Sequence, residues 1–267
     1  MVARGVDSGS LSSVSDTRLL VDLLRAGALD AELAALLWLL LEARTPVVVV
    51  GMEPGACGRV LDGLHGLLPG DSRLVEVAPD DDFGWLREAA DLGWHREAPE
   101  AVGSGAGAVT ADNGVLVVRG LGAPGGVGGA RARIVVRALA LGYGLLATMA
   151  DDGLEDALNT LHAREIGTEA DERSRLGVVL TVVDDAGTSR VTAAHYVRPV
   201  ALDTHGHVQR LPPAILATWN PETVRWDHFA WGVLPDIAGR LGITTIELER
   251  EQARRAAGLS DDVERSG

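Results

Sequence analysis

Four short apolar runs, each followed by a helix-type pattern, restrict the fold of this chain more than any other feature. They are "VVVV" at 47–50, "RLVEV" at 73–77, "VLVV" at 115–118 and "YGLLATM" at 143–149. Runs of this length that are rich in β-branched residues predict strands buried on both faces. Strands that alternate with helices indicate parallel βαβ units. The sequence therefore predicts an α/β fold, with a mostly parallel sheet and helices on both of its faces.

The pattern changes from residue 176 onwards. The segment "LGVVLTVVDDAGTSRVTAAHYV" contains two alternating strands around the turn "DDAGT", and a further meander follows with a turn at Asn220-Pro221. The end of the chain has a helical pattern from Phe229 to about Ala257. We therefore predict an antiparallel C-terminal hairpin and meander, followed by terminal helices, as an extension of the same sheet.

These patterns divide the chain into four segments. We expect a flexible leader at 1–14 and a core at 15–200. A C-terminal meander with helices packed on the core is expected at 201–258, and a flexible tail at 259–267.

Capping residues and glycines predict where the first helices begin and end. A helix capped by Ser15 or Asp16 is expected to end at Gly27, and a second helix, capped by Asp30, is expected to continue to about Arg44. The second helix is so apolar that we expect it to be buried against the sheet.

The charged residues exclude several classes of function. Arginine supplies all 24 basic residues, since the chain has no lysine, and 38 acidic residues give a net charge of -14. A surface that is negative on average repels nucleic acid and anionic lipid, so a DNA-binding protein is not expected. Without lysine the chain can form no Schiff base and can place no ammonium group on a phosphate.

Three features predict a cytoplasmic location. The single Cys57 excludes an internal disulfide and fits a reducing compartment. The N-terminus has no apolar segment of the signal-peptide type, and the longest apolar run, at 33–41, is too short to span a bilayer. A cytoplasmic location is compatible with peripheral attachment to the inner face of the cell membrane.

The stretch "GMEPGACGRVLDGL" at 51–64 lies between the first strand and a helix expected over about 59–68. A strand, a glycine-rich turn and a helix make up the phosphate-binding loop of nucleotide-binding proteins. In such a loop, backbone N–H groups surround the phosphates, a lysine contacts the β and γ oxygens, and a Ser or Thr hydroxyl binds Mg²⁺. Gly51, Gly55 and Gly58 are the candidates for the glycine positions.

The same stretch lacks the side chains that contact phosphate and magnesium. No Ser or Thr lies between Thr45 and Ser72, and no alignment of the glycines can supply a lysine. Arg59 is the only cation within the loop, and its planar guanidinium replaces a lysine poorly. The most that we expect is weak anion contact through the backbone and Arg59.

Four segments also follow one another in an order found in one protein family. They are the helix pair at 19–45, the loop, helix and second strand at 51–83, the segment "RIVVRALALGYGLLATMADDGLEDALNTL" at 133–161, and the hairpin at 178–197. Over roughly 18–200 they resemble the secretion-type traffic ATPases, the P-loop motors of type II and type IV secretion and of type IV and Tad/Flp pilus assembly. The resemblance implies a RecA-like P-loop NTPase fold, ATP with Mg²⁺ as cofactor, and subunits that assemble into rings.

This chain departs from the family at the positions that perform catalysis. The resemblance implies a carboxylate pair after the second strand, where Ala78-Pro79 stands, and a histidine near the γ-phosphate, where Ala150 stands. It also implies a Gly-Glu pair at the end of the third strand, where Leu116-Val117 stands. Loss of several charged groups together should lower the rate of phosphoryl transfer by orders of magnitude.

Some polar residues remain at or beside family positions. They are Asp80 and Asp82 after the second strand, Arg119 after the third strand, and Thr148 in the strand that should end at the histidine. We assign no catalytic residue and no metal site. The run from Asp80 to Asp82 is expected to cap a short helix, "FGWLREAA", rather than to bind a metal.

These observations leave three functions open. The first is a non-catalytic structural or regulatory subunit of a secretion or pilus system, whose partners would be an active paralogous ATPase or further copies of itself in a ring. The second is a divergent ATPase in which Arg59 and the Asp80–Asp82 run bind ATP and Mg²⁺. The third is a binding domain with neither nucleotide nor a role in secretion.

Two further motifs are weak. Gly120-x-Gly122-x-x-Gly125 has the outline of a dinucleotide fingerprint, but it contains Pro124, and no carboxylate follows at the spacing that the ribose requires. His205 and His207 have no third metal ligand close in sequence. We interpret the first as a loop and the second as surface residues.

Aromatic residues are concentrated in the last third of the chain. Trp219, Trp226, Trp231, Phe229 and Tyr196 could form a small core under the meander, or a docking surface for a basic partner. The sequence alone leaves both interpretations open, with the core preferred.

Overall fold

The computed structural model describes residues 14–95, 109–202 and 207–265. The predicted leader lies outside these ranges except for Val14, and so does His205. Eight α-helices lie in the described part of the chain: α1 Val14–Arg25, α2 Ala31–Glu42, α3 Pro54–His65, α4 Gly129–Ala138, α5 Leu154–His162, α6 Ala170–Arg173, α7 Leu234–Leu241 and α8 Thr245–Arg265.

The described residues also contain ten strands. They are β1 Val47–Val50, β2 Arg73–Glu76, β3 Gly114–Val118, β4 Gly144–Met149, β5 Val178–Asp185, β6 Thr188–Tyr196, β7 Ala201–Leu202, β8 Val208–Gln209, β9 Ala214–Asn220 and β10 Arg225–His228. All four apolar runs that we predicted as strands, and the predicted hairpin, are confirmed.

Eight of the strands form one mixed sheet in the order β10-β9-β6-β5-β1-β4-β3-β2. The five strands from β5 to β2 are parallel, and the other three, β6, β9 and β10, are added in antiparallel pairs. The predicted α/β class with a largely parallel first part is therefore correct. Strands β7 and β8 form a separate two-stranded ribbon.

The two faces of the sheet bury two separate cores because side chains alternate along each strand. On β1, Val47 and Val49 face the core formed with α1, α2, α3, α7 and α8, whereas Val48 and Val50 face the core formed with α4 and α5. Both faces are therefore covered, which explains why β1, β3 and β4 are buried along their whole length.

The cap of α2 agrees with the prediction. The Asp30 side chain accepts a hydrogen bond from the Leu33 N–H at 2.9 Å, and eight residues of α2 are buried. The first helix ends before Gly27, whose φ of 67° is a conformation that glycine adopts without strain.

The segment after β2 differs from the prediction. Asp80 to Asp82 do not cap a helix, since the residues up to Trp94 form successive turns. Phe83 has a φ of 56° and packs against the rings of Trp85 and Trp94, with ring centroids 5.9 and 5.1 Å away. Packing of the aromatic side chains under the edge of the sheet thus overrides the weak helix pattern.

The end of the chain also differs from the prediction. We predicted a flexible tail from residue 259, but α8 continues to Arg265. Leu259 is buried together with Leu248 against α2, and this packing holds the last turns in a helix. Among the described residues, no helix combines the length and the apolar character that crossing a membrane requires.

Candidate functional site

The candidate site lies at the carboxyl ends of the parallel strands. Strand β1 lies between β4 and β5, and the chain leaves it through α3 for β2 at the far edge of the sheet. In open α/β sheets, ligands bind outside the carboxyl ends of the strands at such a reversal of strand order. The loop from Gly51 to Glu53, directly after β1, occupies this position.

This loop is shorter than predicted. Helix α3 begins at Pro54 rather than near residue 59, so only three residues connect it to β1. Gly55 and Gly58 lie within the helix and do not form a loop. The described geometry contains no glycine-rich turn that could surround a phosphate at this position.

Gly51 is needed for packing. A Cβ at this position would lie 2.4 Å from the Val182 carbonyl oxygen and 2.9 Å from the Cys57 sulfur. The Gly51 N–H donates to the Met149 carbonyl at 3.1 Å, and the Cys57 thiol donates to the Gly51 carbonyl. Burial raises the pKa of the Cys57 thiol to about 11, so the thiol stays protonated and unreactive.

The N-terminus of α3 differs from an anion site. Glu53 is its N-cap residue, and the Glu53 carbonyl accepts hydrogen bonds from the N–H groups of Ala56 and Cys57. Pro54 at the first helical position has no N–H group. The exposed Glu53 carboxylate lies at the positive end of the helix dipole, where it repels a second anion such as a phosphate.

Arg59 points away from the loop, towards the β5–β6 hairpin. Its Nη2 lies 3.1 Å from the Asp184 carboxylate, and its Nε donates to the Ser189 hydroxyl at 2.7 Å. Asp184 in turn accepts the Gly187 N–H at the hairpin turn. The guanidinium thus joins α3 to the hairpin, and its charge is already balanced by a carboxylate of the same chain.

Arg119 is paired in a similar way. After β3 its side chain crosses α3, where its Nη2 lies 2.5 Å from the Asp62 carboxylate. Its Nη1 would lie 3.6 Å from a Cβ at Gly58, an ordinary van der Waals distance, so the arginine does not require a glycine there. Arg119 thus links the end of β3 to α3, and a carboxylate of the same chain balances its charge.

Thr148 and the glycine-rich segment after β3 have a structural role together. The Thr148 hydroxyl accepts the Gly120 N–H at 2.9 Å, and Thr148 is almost completely buried. Within the segment, the N–H groups of Gly122, Gly126 and Val127 donate to carbonyls of the same loop. These N–H groups already have acceptors within the loop, so they are not available to bind the phosphates of a dinucleotide.

The aspartates after β2 use their own turns as partners. Asp81 accepts the Phe83 N–H at 2.6 Å, and Asp82 accepts the Gly84 N–H at 2.9 Å. They follow the edge strand β2, whereas Arg59 reaches β5 on the other side of β1. The structure does not bring Arg59 and the Asp80–Asp82 run together. Within the described part of the chain, no group of three or more histidine, cysteine or acidic residues is arranged to hold a metal ion.

A groove of about 250 Å³ lies between α1, α3 and the β5–β6 turn. Its wall is apolar along α1, with Leu19 and Leu23, and polar where Arg59, Asp62 and Ser189 line it. The groove lies between Arg59 and α1, and no residue of the 51–53 loop lines it. The residues that pair with the arginines, Asp184, Ser189 and Asp62, were missed by the sequence analysis, because their partners are distant in sequence.

No protein-family model matches the chain, and no curated protein matches its sequence.

Proposed function

We propose that this chain is a RecA-like domain related to the traffic ATPases, and that it acts without nucleotide chemistry as a structural or regulatory subunit of a secretion or pilus-assembly system. It would work in the cytoplasm, beside an active ATPase or in a ring of its own copies. The parallel sheet with β1 between β4 and β5, covered on both faces and extended by an antiparallel hairpin, supports the fold part of this proposal.

The pairing of both candidate arginines supports the non-catalytic part. Arg59 and Arg119 are the cations at family positions near the loop, and each forms an ion pair with a carboxylate of the same chain. Glu53 adds a negative charge at the N-terminus of α3, where it would oppose a bound phosphate. A bound triphosphate would have to break two ion pairs and overcome this repulsion, and it would gain neither a lysine nor a magnesium-binding hydroxyl in return.

The nucleotide part is tested by isothermal titration calorimetry with Mg-ATP and by ATP turnover. We expect no binding tighter than about 1 mM, which corresponds to about -4 kcal/mol, and turnover equal to that of an Arg59→Ala control. Saturable Mg-ATP binding in the micromolar range, or turnover above that of the control variant, would contradict the proposal.

The secretion part has a separate test. The purified chain is mixed with an intact traffic ATPase from the same organism, and the masses of the species are measured by light scattering after size exclusion. We expect a mixed complex. If each protein elutes unchanged at every mixing ratio, the role in secretion is wrong even if the absence of nucleotide binding holds.

A further inference from the structure

The outer edge of β10 has backbone groups that no described strand uses. β10 is the last strand of the sheet, and among the described residues only β9 pairs with it. An open edge of this kind can pair with a strand from another chain.

The hydrogen-bond pattern shows which peptide groups face outwards. The Phe229 N–H donates to the Leu216 carbonyl at 2.7 Å, and these residues continue the β9–β10 register. Hydrogen-bonded and non-hydrogen-bonded pairs alternate along an antiparallel ladder. Arg225 and Asp227 therefore direct their peptide groups towards β9, whereas Trp226 and His228 direct theirs to the open side.

The side chains of this edge are self-complementary. Arg225 and Asp227 flank Trp226, and neither forms an ion pair within the described part of the chain; Asp227 accepts only the Asn220 amide, at 3.3 Å. If two copies pair antiparallel with Trp226 at the centre, each Arg225 lies opposite the other copy's Asp227. The two Trp226 residues then form a hydrogen-bonded pair, and the charged pairs on either side are non-hydrogen-bonded pairs, whose side chains lie closer together.

The exposed apolar residues fit the same pairing. Val224 is 69% exposed before β10, and Phe229 and Trp231 are 43% and 78% exposed after it. Antiparallel pairing about Trp226 brings Val224, in the turn before β10, close to His228 and Phe229 of the other copy. The apolar groups at the two ends of the edge would therefore cover each other, which adds buried area to a short strand contact.

We propose that β10 is the interface of a symmetric dimer, in which two copies of the chain pair antiparallel about Trp226 and join their sheets. Arg225 and Asp227 fix the register through two equivalent ion pairs. This interface is independent of the proposed function, since it requires neither a nucleotide nor a second protein.

The test uses charge reversal with a restoring double variant. Light scattering should give twice the 28.0 kDa of the chain for the wild type at high protein concentration. Arg225→Asp and Asp227→Arg each place like charges opposite each other, so we expect monomers. The double variant R225D/D227R restores opposite charges and should dimerise again. Arg175→Asp makes the same charge change at an exposed position before β5, and it should leave the dimer intact.

Amide hydrogen exchange provides a measurement that does not rely on charge. The Trp226 N–H has no acceptor among the described residues of one copy and is hydrogen-bonded in the pair, so its exchange should slow as the protein concentration rises. A wild type that is monomeric at every concentration overturns the proposal. So does a dimer that survives both single reversals, or a double variant that stays monomeric while it is folded.

Discussion

Single residues in the 51–53 loop after β1 determine whether this loop can bind a phosphate. Gly51 suggests a phosphate loop by its position after β1, yet the surrounding atoms require a glycine there without any ligand. At the residue scale, glycines show where the backbone or a neighbour approaches closely, and the sequence does not tell whether that neighbour is a ligand or the protein itself.

We expect Gly51→Ala to destabilise the fold. Its Cβ would lie 2.4 Å from the Val182 carbonyl oxygen, so the backbone of β5 or of the loop has to move. Overpacking of this kind costs about 1–3 kcal/mol. Gly70→Ala is the matched control, because a Cβ there meets nothing within 4 Å. Urea unfolding measures both, and equal free energies of unfolding for the two variants would contradict this assignment.

At the element scale, the strands were predictable and some helix boundaries were not. The runs at β1, β3 and β4 are apolar because both faces of the sheet are covered, and this signal is local in the sequence. The start of α3 at Pro54 was missed because Gly55 and Gly58 are poor helix formers. They are tolerated in the helix because α3 is packed between the sheet and α1.

The last helix, α8, contains a sequence pattern that predicts one buried face. Leu248, Arg255 and Leu259 are buried at spacings of seven and four residues, which places them on one face of a helix. We ended the helical pattern at about Ala257, and an arginine is seldom fully buried, so the row was not recognised as a buried face. In the structure the side chain of this arginine is 1% exposed, bonds Glu42 and Glu251 at 2.8 and 2.9 Å, and stacks on Trp38.

We expect Arg255→Gln to weaken the contact between α8 and α2. It leaves the Glu42 carboxylate without its partner, and breaking one side of a buried ion pair costs about 3–5 kcal/mol. The matched control is Arg254→Gln, since Arg254 bonds the same Glu251 but is largely exposed. Exposed pairs contribute about 0–1 kcal/mol. Thermal and urea unfolding of the two variants compare them, and similar losses would show that burial of Arg255 does not matter.

At the scale of the whole molecule, contacts distant in sequence define the site, and these could not be predicted. Arg59 was identified as the only cation of the loop, but its partner Asp184 is 125 residues away. The separation of Arg59 from the Asp80–Asp82 run depends on the order of the strands, which apolar patterns do not encode. The candidate residues could therefore be found from the sequence. Whether each one forms an ion pair within the chain could not.

One such contact joins two residues 198 positions apart, and its strength should depend on pH. His228 on β10 lies 2.8 Å from the Asp30 carboxylate at the N-cap of α2 and 3.7 Å from Glu32. The hydrogen bond that the His228 ring donates to Asp30, together with the charges of Asp30, Glu32 and Asp227, raises the pKa of His228 above its ordinary value of 6.5, although burial opposes the shift. The folded protein therefore binds the proton more tightly than the unfolded chain does.

Because the pKa is raised in the folded state, the contribution of His228 to stability is fully present below pH 6.5 and is lost as the pH rises through the folded value. We expect His228→Gln to lower the free energy of unfolding at acidic pH and to have a smaller effect at alkaline pH. The control is His162→Gln, which replaces a histidine away from the Asp30 cluster. Urea unfolding at several pH values, at one fixed protein concentration, measures the difference between wild type and variant. A difference that stays constant across the histidine titration would mean that the ion pair between His228 and Asp30 does not link β10 to α2.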